Sequence, residues 1–411
     1  MRFLAAAAAL SVLALPTPAS AASTWTTAWA TAPAAAVGGV QQGYVGFTIR
    51  NVVHTTAGGN KVRIHLSNRY GTRPVLFGHV TVAVSAHAGG RRDGSIDQSD
   101  GSAVAGTLRD VLFSGRREFT VPAGADAVSD PVTLRVAADR DLLVSVWTPE
   151  PSGTVTYHPA AMQDSVFSRG PADHAADTSA TAFGERTQVW HYVSGVDVVG
   201  GPGTVVALGD SITDGVTSTF NANRRWTDYL AARLASSAQP DYGIANSGIS
   251  GNRVLLDCGY PNYTIYQSCG ESAQTRLPQD VLERAGVRTV ILFEGVNDIQ
   301  QDPHQTDPEQ IIAGLAQITA QARARGLKVV GATIMPFRGW YTWSPELEAT
   351  RVAVNTWIRT EFGANLADFD AATRDPSDPA RILPAFDSGD HLHPNDAGDL
   401  AMARVVPLGR L

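Results

Sequence analysis

From Gly203 to the C-terminus, short apolar runs alternate with longer amphipathic ones, and few folds accommodate that pattern. The apolar runs lie at 205–208, 242–246, 289–293, 328–334 and 365–368. Helical periodicity marks 226–236, 273–285, 308–325, 345–362 and 396–405. Alternation of this kind predicts an α/β region, a parallel sheet with helices on both faces. Open sheets of that sort bind ligands beyond the C-terminal ends of their strands, so chemistry is expected in the strand-end loops.

The preceding half has a different grammar. Runs at 47–53, 61–66, 75–84, 132–136, 142–147 and 154–157 alternate in part and are bounded by Gly, Asn, Asp and Pro. They predict an all-β sandwich or jelly-roll-like domain. Residues 160–196 are polar and Ala/Ser/Asp-rich, and are expected to connect back to the second domain. At the N-terminus Arg2 precedes an Ala/Leu/Val run that ends in Ala19-Ser20-Ala21. This has the form of a secretory signal peptide, too short and too soon broken by Pro16 and Pro18 to span a bilayer. The expected organisation is a signal peptide at 1–21, a β-rich domain with its connection at 22–202, and a catalytic domain at 203–411. The chain is expected to be secreted (extracellular).

The formal charge of −7 is scattered and forms no basic stripe, which argues against nucleic acid as a partner. Cys258 and Cys269, close together in an exported chain, are expected to form a disulfide. Two cysteines with no histidine nearby do not make a zinc site. Seven histidines are scattered over the first half at no ligand spacing, and are expected to be surface or packing residues.

Four strand-end loops carry specific residues: Gly209-Asp210-Ser211, Asn246 through Gly251-Asn252, Gly295-Val296-Asn297-Asp298, and Asp390-His391-Leu392-His393-Pro394. Each alone is an ordinary turn. Together and in this order they resemble the four blocks of the SGNH, or GDSL, family of serine esterases and lipases, over the region from about Gly203 to the end. The resemblance implies a three-layer, flavodoxin-like fold with a five-stranded parallel sheet. It also implies Ser211 as nucleophile, Asp390 and His393 as the rest of a triad, and an oxyanion hole from Ser211, Gly251 and Asn297. The first half resembles, more loosely, the β-rich domain preceding the catalytic one in some secreted bacterial members. That likeness rests on Thr24 to Trp29, Val62 to Asn68 and the strand pattern.

The residues support these roles. A serine hydroxyl needs a base within hydrogen-bond reach, and the base needs a partner that fixes its tautomer. Asp390 and His393 are three apart, so one turn can join them, whereas His391 should point elsewhere. The backbone N–H groups of Ser211 and Gly251 and the Asn297 amide can converge on an oxyanion. The Gly-x-Ser-x-Gly elbow is absent, because Thr213 stands two after Ser211, which argues against the α/β-hydrolase fold.

Cleavage of carboxylic esters through an acyl-enzyme is therefore expected, with no cofactor and no metal. A small-molecule or polysaccharide ester is the expected substrate, and the chain is read as a monomer without a transmembrane segment. Trp340, Tyr341 and Trp343, after the fourth strand, are candidates for substrate binding, with packing against the β-rich domain as the competing expectation. They favour short acyl groups on a carbohydrate or other soluble alcohol. A lipase or phospholipase for longer chains and a noncatalytic carbohydrate-binding protein are the alternatives. A metal-dependent hydrolase built on Asp302, His304 and Asp307 is disfavoured by Pro303, Pro308 and the adjacent helix start.

Overall fold

The computed structural model describes residues 24–91 and 94–411. The leader expected at 1–21 lies outside the described residues. Among these residues no helix is long and apolar enough to cross a membrane.

The first half is a β-sandwich. One sheet runs in the order Glu185–Thr187, Ser165–Arg169, Phe47–Thr55, Arg140–Thr148, His79–Val84 and Arg109–Asp110. In the other, Trp25–Ala30 pairs with Val193–Val199, which pairs with Gly59–Ser67; Asp126–Val128 and Val132–Val136 share the far edge of that strand. The inward side chains of both sheets, among them Ile49, Val144 and Val82 facing Ile64, Val62 and Val196, form one core. The stretch 75–84 is two strands: Val75–Phe77 pairs with Phe119–Val121, and His79–Val84 joins the larger sheet.

The expected connection at 160–196 needs correction. It holds Ser165–Arg169, which pairs with Phe47–Thr55, and the start of Val193–Val199, an inner strand of the smaller sheet. The latter looks loop-like because it contains Gly195 and Asp197. Asp197 is buried yet accepts from Thr27 Oγ1 (2.7 Å) and Arg63 Nε (2.8 Å), and faces His65 Nε2 at 2.6 Å. Burial works against its charge, but His65, Thr27 and Arg63 outweigh burial and hold the carboxyl well below the usual range.

The second half carries a five-stranded parallel sheet made of Thr204–Gly209, Gly243–Gly248, Val287–Phe293, Lys328–Ala332 and Leu366–Ala367. Its spatial order is second, first, third, fourth, fifth, the flavodoxin-like winding. The first strand is therefore internal and ends at the switch point, beside the ends of the second and third. One face is covered by Ala273–Leu277, Pro308–Ala324 and Pro345–Phe362, through Leu277, Ile318 and Ile358. Trp226–Ala235 and Asp396–Val405 cover the other, through Leu230 and Met402. The helix expected at 273–285 changes at Pro278 into a π turn, Pro278–Leu282. This is the three-layer α/β architecture of SGNH hydrolases, preceded by a β-rich region.

The halves share a hydrogen-bonded seam. Thr204 Oγ1 accepts from Thr27 N–H at 2.9 Å, and Thr56 Oγ1 accepts from Ile244 N–H at 2.8 Å. Arg284 donates to the carbonyls of Ser194 (2.9 Å) and Thr31 (3.0 Å).

Candidate active site

Ser211 opens a short helix, Ser211–Asp214, directly after the first strand; Asp210 caps it by accepting from Ile212 N–H at 2.9 Å. The turn demands glycine at 209, since a Cβ there would stand 2.1 Å from Thr213 Oγ1 and 2.9 Å from the Phe293 carbonyl.

His393 Nε2 lies 2.8 Å from Ser211 Oγ, and His393 Nδ1 lies 2.6 Å from Asp390 Oδ2. The other Asp390 oxygen accepts from the N–H groups of Leu392 (2.9 Å) and His393 (2.8 Å). Partial burial opposes its charge, but the His393 ring and these two N–H groups hold the Asp390 carboxyl well below the usual carboxylate range. It is thus ionised whenever the ring needs orienting. His391 points elsewhere: its Nδ1 faces Asp387 Oδ2 at 2.6 Å.

Gly251 adopts φ +79°, and a Cβ there would press on Cys269 Cβ at 3.0 Å. The backbone N–H groups of Ser211 and Gly251 have no hydrogen-bond partner among the described residues. Asn297 lies in the helix Val296–Gln300 after the third strand. Its Oδ1 accepts from both Gln300 Nε2 and Gln301 Nε2 at 2.8 Å, while its Nδ2 donates to the Asn252 carbonyl at 2.9 Å. Two donors on the oxygen fix the amide's orientation and leave one N–H hydrogen uncommitted. Ser211, Gly251 and Asn297 thus approach from the ends of three adjacent strands, an arrangement able to receive an oxyanion.

Beneath Ser211 the acids are crowded. Burial, helped by Asp298 and Asp214, pushes Asp210 above the usual carboxylate range against the Ile212 N–H, and burial with the neighbouring Asp210 and Asp298 pushes Glu294 well above it. Both shifts favour the neutral acids, so this floor carries less negative charge than its carboxyl count suggests. Arg276 ties this floor together, donating to the Gly209 (2.9 Å) and Ser247 (2.7 Å) carbonyls and to Asn252 Oδ1 (2.9 Å).

Cys258 and Cys269 are disulfide-bonded, with Cα atoms 5.2 Å apart. Of the aromatic candidates, Trp340 sets its ring edge-on to His393 with centroids 6.2 Å apart, and donates Nε1–H to Gln300 Oε1 at 2.8 Å. Trp340 and Trp343 pack on the core of the parallel-sheet half, while Tyr341 is 81% exposed. In the Asp302–Asp307 stretch, Asp307 caps a helix by accepting from Glu309 N–H at 3.0 Å, and His304 Nδ1 faces the Ile299 carbonyl at 3.0 Å.

Asp214, Gln300 and Gln301 are not among the candidates the sequence offers. Gln300 and Gln301 had a signal: three and four residues after Asn297, they lie on its face of the helix. Arg276 had none, because its partners come from distant strand ends.

The sheet and this constellation define the class, an α/β carboxylic ester hydrolase outside the nucleophile-elbow type. Residues 207–401 match the model of the GDSL-like lipase/acylhydrolase family, and this region of the chain belongs to that family. Solved structures with likeness include a carbohydrate acetylesterase from Sinorhizobium meliloti, 19% identical, with 50% of this chain and 96% of that one covered and a TM-score of 0.39. A GDSL-like lipase from Bacteroides thetaiotaomicron is 18% identical over 49% of this chain and 85% of its own, with a TM-score of 0.36. An acetyl xylan esterase is 22% identical over 49% and 96%, with a TM-score of 0.36. No curated protein matches the chain.

Proposed function

We propose that the chain is a secreted serine ester hydrolase that works through an acyl-enzyme. The observation that carries this reading is the relay from Ser211 Oγ through His393 (2.8 Å) to Asp390 (2.6 Å). In it, His393 Nε2 takes the hydroxyl proton as Ser211 Oγ attacks the ester carbonyl. Asp390 holds the tautomer and stabilises the imidazolium that forms. The N–H groups of Ser211 and Gly251 and the free Asn297 amide hydrogen receive the oxyanion. His393 then returns its proton to the leaving alcohol, and water attacks the acyl-serine by the same steps.

The substrate proposed is a short acyl ester of a carbohydrate or other soluble alcohol. The exposed Tyr341 ring, 4.8 Å from that of Trp340, offers a surface on which a sugar can stack. The leader expected at 1–21 and the disulfide support export.

The test is Ser211→Ala together with labelling by an organophosphate. Loss of turnover on the order of 10⁶-fold at unchanged melting temperature, with label on Ser211 in the parent only, is expected. Near-normal turnover in the variant would remove the serine mechanism. A preference for long acyl chains over acetyl esters would overturn the substrate reading alone.

A further inference from the structure

Asp214 lies one helical turn after Ser211 and is buried, yet its carboxylate faces away from the relay. Its Oδ2 accepts from both the Ser250 N–H (3.0 Å) and the Ser250 hydroxyl (2.7 Å). Its Oδ1 faces His158 Nε2 at 2.8 Å. His158 belongs to the other half of the molecule, in the strand Thr156–His158, and its Nδ1 faces the Ala32 carbonyl at 2.8 Å.

The chemistry of this chain of contacts is constrained. A carbonyl only accepts, so Nδ1 carries a hydrogen, and Nε2 carries the second one when it donates to the Asp214 carboxylate. Burial disfavours the charged ring, but Asp214 and the Ala32 carbonyl outweigh burial and raise His158 above the ordinary histidine range. The pair is nearly inaccessible, with side chains 1% and 3% exposed, so removing one partner strands the other's charge.

Ser250 immediately precedes Gly251. The peptide plane between them directs the Gly251 N–H, and two bonds to a single carboxylate oxygen hold Ser250 in place. A second contact from the β-rich half reaches the same loop: Ala32 and Ala34 pack on Ile249, all three fully buried.

We propose that His158 is a positioning residue for ester hydrolysis: it holds Asp214, which through Ser250 aims the Gly251 N–H at the oxyanion. The β-rich half thereby completes the catalytic one. This rests on the reading of Gly251 as an oxyanion donor.

The test uses the full chain and a small aryl acetate. His158→Ala is expected to lower kcat about 10–100-fold, less than loss of a whole oxyanion donor, with KM changed no more than about twofold. His158→Gln, which restores a donor to Asp214, should recover part of the loss. Ser250→Ala should also lower kcat, and combining it with His158→Ala should cost less than the product of the two, since both act on one chain of contacts. Wild-type kcat in His158→Ala with only a lower melting temperature would overturn the proposal. If His158→Ala does not fold, Ser250→Ala decides alone, and unchanged kcat there overturns it. Organophosphate labelling of the parent separates the two readings: a parent that is not labelled overturns the serine mechanism and this inference with it, whereas a labelled parent with kinetically normal variants overturns this inference only.

Discussion

Gln300 donates from Nε2 to Asn297 Oδ1 at 2.8 Å, and accepts on its own Oε1 from the Trp340 indole at 2.8 Å. The amide proposed to receive the oxyanion is thereby tied to the aromatic loop beside His393. Asn297→Ala is expected to lower kcat roughly 100–1,000-fold with KM little changed, as for loss of one oxyanion donor. Gln300→Leu, which frees one lone pair of Oδ1, should cost less and in the same direction. Steady-state kinetics on an aryl acetate check both. A loss confined to KM would make Asn297 a ground-state binding residue.

His393→Ala and His391→Ala should differ widely. The His391 ring is 43% exposed and engaged with Asp387, so its loss should change kcat by no more than a few-fold. Loss of His393 removes the base of the relay and should cost on the order of 10⁶-fold. The reverse order in kcat would move the base to His391.

Opening the disulfide should lower stability and loosen the site together. The bridge spans a separation of 11 residues, worth roughly 3 kcal/mol in the chain-entropy model. Because Cys269 packs against Gly251, a Cys258→Ser/Cys269→Ser variant should also lose kcat, by about 2–10-fold, as for partial misalignment of one donor. Melting temperature and kcat are the measurements. Free thiols in the unreduced, denatured parent would remove the bridge from the account.

Stability should fall at alkaline pH through His54. Its Nδ1 faces Asp141 at 2.8 Å and its Nε2 faces Asp139 at 3.2 Å. Burial opposes the charged ring, but the bonds to Asp139 and Asp141 outweigh it and push His54 up to about 9. A group raised on folding stabilises fully below its unfolded value of about 6.5, and that contribution is lost as pH rises through the folded one. Burial pushes Asp141 up as well, which offsets part of the gain. The melting temperature of the parent should therefore drop between pH 7 and 10 more than that of His54→Gln, and parallel curves would assign the drop to other groups.

The alternation after Gly203 was legible without coordinates, because burial on both faces writes continuous apolar runs and each covering helix writes its own period. The loops bearing Ser211, Gly251 and Asn297 were legible too, since each directly follows a strand; Asp390 and His393, beyond the helix Phe369–Thr373 and the hairpin after the fifth strand, were legible only from their spacing of three and the family resemblance. Val193–Val199 was not, because Asp197 is tolerated in an inner strand only through Thr27, Arg63 and His65, which come from two other strands. Tertiary structure also decided whether the aromatic loop met the sandwich or the hydrolase core; Trp340 and Trp343 went to the latter. It decided that His158, 56 residues distant in sequence from Asp214, closes against it across the seam. Local order along the chain sets what each strand end carries. Which buried polar group satisfies which other is set by three-dimensional packing, since their desolvation is offset only by partners far away along the chain.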